Sequence, residues 1–344
     1  MDIQLASLAP AHPALSPRAP DLMPSISVVA PAYNEQEVIE EFHSRVTAVL
    51  AGLGCDYEIV LVNDGSRDDT LAMMHTLRAR DPHLTVVDLS RNFGKEIALS
   101  AGLDYTKGEV VVVLDSDLQD PPELIPQMLE TWREGYEVVY GMRAEREGET
   151  WFKKLTARHF YRLIKKVSRV DIPKDTGDFR LMSRRAVEAL SRLREEHRFM
   201  KGLFAWVGFP SKAMLYKRDA RAAGCTKWNY WKLWNFAIEG ITSFTVAPLK
   251  VSTYLGLLVA VLALAYAVFV IWKALVYSDP VRGYPSLMTV ILFLGGVQLI
   301  SVGLLGEYVG RIFNEVKRRP LYLVNKLLSS ELPGEFSNRA ERRQ

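Results

Sequence analysis

Val110-Val111-Val112-Val113-Leu114-Asp115-Ser116-Asp117-Leu118-Gln119-Asp120-Pro121-Pro122-Glu123 is the stretch on which the reading of this chain turns. Four valines and a leucine in a row, without a charge, suit a strand buried on both faces, as in a parallel sheet. Where the apolar run stops, Asp115 and Asp117 follow with one residue between them. Alternation along an extended chain points both carboxylates the same way, and Gln119 continues the period. Hard oxygen donors on one side suit Mg2+ or Mn2+ carrying a bound diphosphate. The Pro121-Pro122 pair closes the loop and opens a helix, because proline is favoured in a first helical turn.

Outward from this run, strand and helix patterns alternate. Ile26 to Ala30, Tyr57 to Asn63, Leu84 to Asp88, Val110 to Asp115 and Glu137 to Tyr140 read as short strands. Glu35 to Leu50, Asp68 to Arg80, Lys95 to Thr106 and Pro122 to Arg133 read as amphipathic helices between them. Repeated β-α-β units predict an α/β fold, a mostly parallel sheet with helices on both faces and a ligand crevice beyond the carboxyl ends of the strands. The polar signals gather at those ends. After the first strand comes Pro31-Ala32-Tyr33-Asn34-Glu35, with Asn34 as a candidate helix cap. After the second comes Asn63-Asp64-Gly65-Ser66, in which Gly65 permits a sharp turn and Asp64 offers acceptors to a base or ribose. After the third comes Ser90-Arg91-Asn92-Phe93-Gly94-Lys95. Together they favour a nucleotide site, and without G-x-x-x-x-G-K-[ST] or G-x-G-x-x-G neither a P-loop nor a dinucleotide fold is indicated.

The 344 residues carry a net charge of +3, too small to imply nucleic acid as a partner. Cys55 and Cys225 make no disulfide framework and suit a reducing compartment. Met1 to Pro24, rich in Pro and Ala with no basic start and no sustained apolar core, reads as a disordered tail and not as a leader. Hydrophobicity concentrates at the far end. Val251 to Trp272 and Tyr284 to Gly306 are uncharged, each close to the ~20 residues a helix needs to cross a membrane. A transmembrane hairpin is therefore expected over 251–311, with spans at about 251–274 and 284–306. Lys250 precedes it, and Arg311, Lys317, Arg318 and Arg319 follow the second span. The cytoplasmic preference of Lys and Arg places the soluble domain and both termini in the cytoplasm and the turn at Ser278 to Gly283 outside. Two spans without interior charge argue against a transporter.

These motifs, in this order, resemble the family 2 glycosyltransferases of the GT-A fold. Within that family they resemble the polyprenyl-phosphate glycosyltransferases, meaning dolichyl-phosphate mannose synthase and the bacterial GtrB-like enzymes. The likeness runs from about Ser25 to Pro320. It takes in P-x-Y-N-E, D-G-S, S-R-N-F-G-K and D-x-D-L-Q-D-P-P-E, then Thr176-Gly177-Asp178-Phe179-Arg180-Leu181 and the hairpin with Gly306-Glu307-Tyr308. It implies inverting, metal-dependent transfer of a single sugar from a nucleotide donor to polyprenyl phosphate at the cytoplasmic membrane face. Glucose from UDP-glucose to undecaprenyl phosphate is the foremost expectation. Mannose, N-acetylhexosamine or a 4-amino-arabinose derivative are the alternatives, and a silent sugar-nucleotide scaffold is disfavoured by the intact acidic residues. By the resemblance, Pro31, Tyr33, Glu35 and Asp64 line the base and ribose pocket with Lys95 also on the donor. Asp117 and Gln119 hold the metal with Asp115 at its edge, and Asp178 and Arg180 face the sugar and the acceptor phosphate. Two departures stand out: Asn63-Asp64 where many relatives have Asp-Asp, and Cys225-Thr226-Lys227-Trp228 in place of a more usual Ser-Lys-Tyr. Q-x-x-R-W, the mark of processive polysaccharide synthases, is absent.

The implied chemistry asks for cations beside the acceptor. A lipid monophosphate is largely ionised at neutral pH, its second pKa being about 6, so it needs positioning more than a base. Arg143, Arg146, Arg180 and Lys227 are the candidates, while Asp178 is placed to face positive charge developing on the sugar ring. Trp151 to Lys166 has the basic, aromatic composition of an interfacial helix. Residues 221–250, with Trp228, Tyr230, Trp231 and Trp234 beside Lys227 and Lys232, form a second aromatic belt. In the C-terminal tail, residues 312–344, Pro320 to Val324 is β-prone and is expected to add a strand to a neighbouring subunit of a homo-oligomer.

Overall fold

The computed structural model describes residues 15–19, 23–143, 176–196, 198–216, 247–277 and 283–330. They divide into a sheet-based unit, which includes the chain from Pro320 onward, and a helical hairpin unit. Arg146, Trp151 to Lys166, Lys227 with its aromatic belt, Cys225 and the tail beyond 330 lie outside the described residues.

Four strands form the centre of the sheet: β1 (Ile26–Ala32), β2 (Tyr57–Asn63), β3 (Leu84–Leu89) and β4 (Val110–Val113). Each is apolar at nearly every position because both faces are covered. Val28, Ala30, Ile59, Leu61, Val110 and Val112 face a core with Phe42 and Val46 of α1 (Ile39–Ala51), Met74 of α2 (Thr70–Arg80) and Met128 of α4 (Ile125–Arg133). On the opposite face lies α3 (Lys95–Asp104), where a Cβ at Gly102 would come within 2.4 Å of Val29 Cγ1 and 2.9 Å of Val62 Cγ2. Only glycine lets this helix settle so close to β1 and β2.

The strand order is β7-β5-β6-β4-β1-β2-β3-β8. β1 pairs in parallel with both β2 and β4, so the topology reverses between β1 and β4, where such sheets open a ligand crevice. Strands β5 (Val138–Arg143), β6 (Thr176–Ser183), β7 (Ser211–Tyr216) and β8 (Val324–Leu328) extend the sheet. β6 runs antiparallel between β4 and β5, and β7 lies parallel to β5. Helices α5 (Arg184–Ser191) and α6 (Met200–Trp206) follow β6.

Three expectations are corrected. The C-terminal strand starts where the expected Pro320 to Val324 run ends: β8 begins at Val324 and pairs antiparallel with β3 of its own sheet, capping the edge that β3 would otherwise present and becoming the edge strand itself. The N-terminal tail is not free throughout, since the Arg18 guanidinium donates to the carbonyls of Trp132 and Tyr136, pairs with Glu137 at 3.0 Å and stacks 4.2 Å from the Trp132 ring. It satisfies carbonyls at the carboxyl end of α4, where a cation is favoured. Asn34 caps no helix; α1 starts at Ile39 without a side-chain cap, and Asn34 takes a left-handed φ of 55°.

The hairpin unit consists of α7 (Ala247–Tyr277) and α8 (Tyr284–Lys317), joined side by side by a hydrogen bond from Ser252 Oγ to Ser301 Oγ at 2.8 Å. Within α8, Phe293–Lys317 is long and apolar enough to cross a membrane, with mean hydropathy 1.3. The expectation of two spans is met in this form by one among the described residues, since the apolar stretch of α7 that qualifies, Ser252–Tyr266, is shorter. Leu299 and Ile300 are 75% and 73% exposed, so the unit presents an apolar surface that water would not tolerate over this length.

Candidate active site

Each of the four central strands is followed by a loop with a positive-φ residue: Asn34 after β1, Gly65 after β2, Gly94 after β3 and Leu118 after β4. Leu118, at φ 58°, is the costly one, and such strain is typically held at functional loops. The strand ends at Val113 and a turn carries Asp117, so the two-residue alternation expected to align Asp115, Asp117 and Gln119 does not continue past Asp115.

The loops are stitched to one another. Ser116 Oγ donates to Pro31 O at 3.0 Å, tying the acidic turn to the end of β1. Asn34 accepts from Arg67 N–H at 2.8 Å and donates its own N–H to Ser66 Oγ at 3.0 Å. Glu35 N–H donates to Thr70 Oγ1 at 2.9 Å. Tyr33 remains exposed, its ring available to a planar partner. Asp64 is buried and accepts from Phe93 N–H at 2.7 Å and Gly94 N–H at 3.0 Å. Burial raises its carboxyl against the lowering by those two N–H groups and Arg91. A side chain at Gly65 would sit 2.5 Å from the backbone of Arg91 and Asn92, so only glycine allows the second and third loops to touch.

The centre of the site is made by β6. Its register sets Val113 opposite Arg180, and continuing that pairing by two residues brings Asp178 beside Asp115. Lys95, the first residue of α3, places its Nζ 2.7 Å from Asp115 Oδ1 and 2.6 Å from Asp178 Oδ2. Its side chain is 47% exposed against 16% and 12% for the two carboxylates, so the ammonium plugs a mostly buried acidic pair from the solvent side. Burial alone would lower the Lys95 ammonium, but Asp115 and Asp178 outweigh it and raise the group. Burial would likewise raise Asp178, yet Lys95, Lys201 and Arg180 bring it down to about 2. Asp115 is raised by burial, with Asp178 and Asp120 adding to the effect and Lys95 opposing it.

Arg180 is placed differently from a phosphate ligand. It is buried, donates through Nε and Nη2 to the carbonyls of Asp178 and Gly177, and stacks 3.3 Å from the centroid of Phe204. Burial lowers its pKa to about 10. It braces the backbone that carries Asp178. Arg143 closes β5, with nothing described of its side chain.

The sequence reading passed over three groups. Asp120, buried within the acidic run, accepts from Tyr216 OH of β7. Lys201 of α6 acts electrostatically on Asp178 and Glu96. Glu96, beside Lys95, accepts Met200 N–H at 3.1 Å and so ties α3 to α6. Burial, with Asp178 adding, pushes its carboxyl up to about 7 from an ordinary 4.5. Between those values the folded chain holds a proton that the unfolded chain has released, so stability falls as pH rises through that window. Glu96→Gln keeps an acceptor for Met200 N–H and cannot ionise. Its melting temperature is expected to gain on that of the parent protein between pH 4.5 and 7, and a gap independent of pH would refute this assignment.

A metal ion fits the donor set in one way. Asp178 Oδ1 is buried and accepts no hydrogen bond, the Asp115 carboxylate is met by the Lys95 ammonium, Asp117 is nearly buried at the loop, and no three His, Cys, Asp or Glu side chains converge among the described residues. Such a site suits a cation held by one or two carboxylates whose shell is completed by a ligand's phosphates.

Residues 27–191 match the model for glycosyl transferase family 2, and residues 247–312 match that for the GtrB C-terminal hairpin. An uncharacterized glycosyltransferase of Synechocystis sp. is 54% identical over 91% of this chain and 99% of its own. The SfII prophage-derived bactoprenol glucosyl transferase of Shigella flexneri is 48% identical over 88% of this chain and 97% of its own. A prophage bactoprenol glucosyl transferase homolog of Escherichia coli (strain K12) is 45% identical over 88% and 99%. The hairpin makes this a membrane-associated protein. With the mostly parallel GT-A-type sheet, its acidic turn at the switch point and these full-length likenesses taken together, the chain belongs to glycosyl transferase family 2 and is a glycosyltransferase.

Proposed function

We propose that this enzyme transfers one glucosyl residue from UDP-glucose to undecaprenyl phosphate at the cytoplasmic face of the membrane, with inversion at the anomeric carbon. The observation that carries the reading is the 48% identity to a bactoprenol glucosyl transferase, which runs through both the sheet unit and the hairpin. The Lys and Arg residues that flank the hairpin favour a cytoplasmic catalytic unit.

The donor lies across the carboxyl ends of β1 and β4. Tyr33 stacks on the base, while Asp64 and Gly65 shape the pocket floor by holding the second and third loops together. Asp115, Asp117 and Gln119 would hold a divalent cation, which supplies charge neutralisation to the departing diphosphate when bound there. Lys95 keeps Asp178 ionised, so a fixed carboxylate faces the sugar as positive charge builds on its ring. An oxygen of the lipid phosphate forms the new bond to the anomeric carbon as the bond to the UDP β-phosphate oxygen breaks, and UDP leaves with that electron pair. The phosphate arrives already ionised, and Arg143, Arg146 and Lys227 position it.

The test is transfer by the full-length enzyme in lipid vesicles containing undecaprenyl phosphate, with Mg2+ or Mn2+ and a panel of UDP-glucose, GDP-mannose, UDP-N-acetylhexosamines and UDP-4-amino-arabinose derivatives. A lipid-linked product from UDP-glucose is expected. Product from another donor alone would replace the sugar assignment, and no product from any donor would overturn the reading.

A further inference from the structure

Asn63 makes contacts on both sides that suit an amide. It is the last residue of β2, is buried, and pairs in register with Asp88 of β3. Its Nδ2 donates to Asp88 Oδ1 at 2.7 Å, while its Oδ1 accepts Ser66 N–H at 3.2 Å. The other oxygen of Asp88 accepts from Asn325 Nδ2 of β8 at 2.7 Å. Asp88 is itself nearly inaccessible to water.

Both oxygens of Asp88 act as acceptors, so each needs a donor. Asn63 is the side chain that can give a donor to Asp88 and an acceptor to the turn in the same pose. An aspartate in its place would still accept from Ser66 but would set two buried carboxylates in contact, and one of them would have to take up a proton. We propose that Asp88 is a positioning residue that couples the C-terminal strand to the Asp64-Gly65-Ser66 turn, and that this coupling is what demands an asparagine at the end of β2. β8 thereby becomes part of the donor site without touching the donor. The inference rests on the reading that the Asp64 turn meets the nucleotide.

The test uses the full-length enzyme in detergent, with UDP-glucose binding measured by calorimetry, KM and kcat measured separately, and Tm as a check on folding. Asn63→Asp is expected to weaken UDP-glucose binding about tenfold or more near neutral pH, with kcat at saturation changed less than about threefold. The defect should shrink as pH falls, because a protonated carboxyl can again donate to its neighbour. Combining Asn63→Asp with Asp88→Asn restores a complete pattern: the amide introduced on β3 would donate to the carboxylate introduced on β2 and accept from Asn325. This exchange should return binding to within about threefold of the parent, and Asn325→Ala should weaken binding in the same direction as Asn63→Asp. A folded Asn63→Asp enzyme with unchanged affinity would overturn the coupling while leaving glucosyl transfer intact. If Asn63→Asp does not fold, the exchange decides: parental affinity supports the coupling, and weak binding or failure to fold overturns it. A parent enzyme that binds no UDP-glucose would instead sink the functional reading and this inference with it.

Discussion

Replacing Asp117 with alanine is expected to lower glucosyl transfer on the order of 10³-fold, with the melting temperature little changed. The carboxylate sits at the turn beyond β4, where its Oδ1 accepts the N–H of Gln119 at 3.2 Å, and it forms no part of the sheet core. If a divalent cation shares the diphosphate with Asp115 and Asp117, its loss removes several kcal/mol of charge stabilisation from the departing phosphate, and about 1.4 kcal/mol is a factor of ten in rate. Binding of Mn2+ in the presence of UDP, followed by electron paramagnetic resonance, should fall with activity. Asp117→Ala with parental turnover, or a parent enzyme indifferent to chelator, would remove the metal from this turn.

The second large effect is expected from Lys95→Met, which keeps the stem and deletes the charge. Asp115 and Asp178 would then face each other across a nearly dry crevice with only more distant cations nearby. Removing one partner of a buried ion pair costs ~3–5 kcal/mol; the half-exposed Lys95 side chain admits water, and about 2 kcal/mol is the discounted expectation. The pH dependence has a definite sign. Asp178 is held at about 2, below its ordinary 3.8. Its stabilising contribution is therefore complete above pH 3.8 and is lost as pH falls toward 2. Lys95→Met lacks it, so the two proteins should differ most at neutral pH and converge in acid. Turnover should drop about 10²-fold or more, because the two facing carboxylates are left to repel each other and to take up a proton between them, which weakens the fixed negative charge offered to the sugar. Lys95→Arg retains the charge and should recover most of the stability. Parental kcat in Lys95→Met would show that the ammonium is only a structural plug.

The central strands, the helices between them and the clustering of polar motifs at one sheet edge were legible because burial on both faces leaves an unbroken apolar run. The apolar pattern matches β2 to both ends, and β1, β3 and β4 to within two residues. Harder to read were the strands that join from afar. Thr176 to Leu181 stands out as a motif, but not as the antiparallel strand that sets Asp178 opposite Asp115. β8 carries exposed polar residues on an edge and pairs with a strand more than 230 residues earlier, which no local pattern reports.

Residue order alone determined that Asp115, Asp117, Asp64 and Lys95 end or follow strands of one parallel sheet, since apolar periodicity fixes where strands stop and parallel order puts those stops on one edge. It determined the apolar hairpin as well, because length and hydropathy suffice for that. Tertiary structure alone decided that Lys95 bridges Asp115 and Asp178, that Arg180 turns inward to brace a backbone, and that Asn325 reaches the Asp64-Gly65-Ser66 turn through Asp88 and Asn63. Those are contacts between segments far apart in the chain. Strand register and helix packing bring them within hydrogen-bonding distance, and neither is written in any one stretch of sequence.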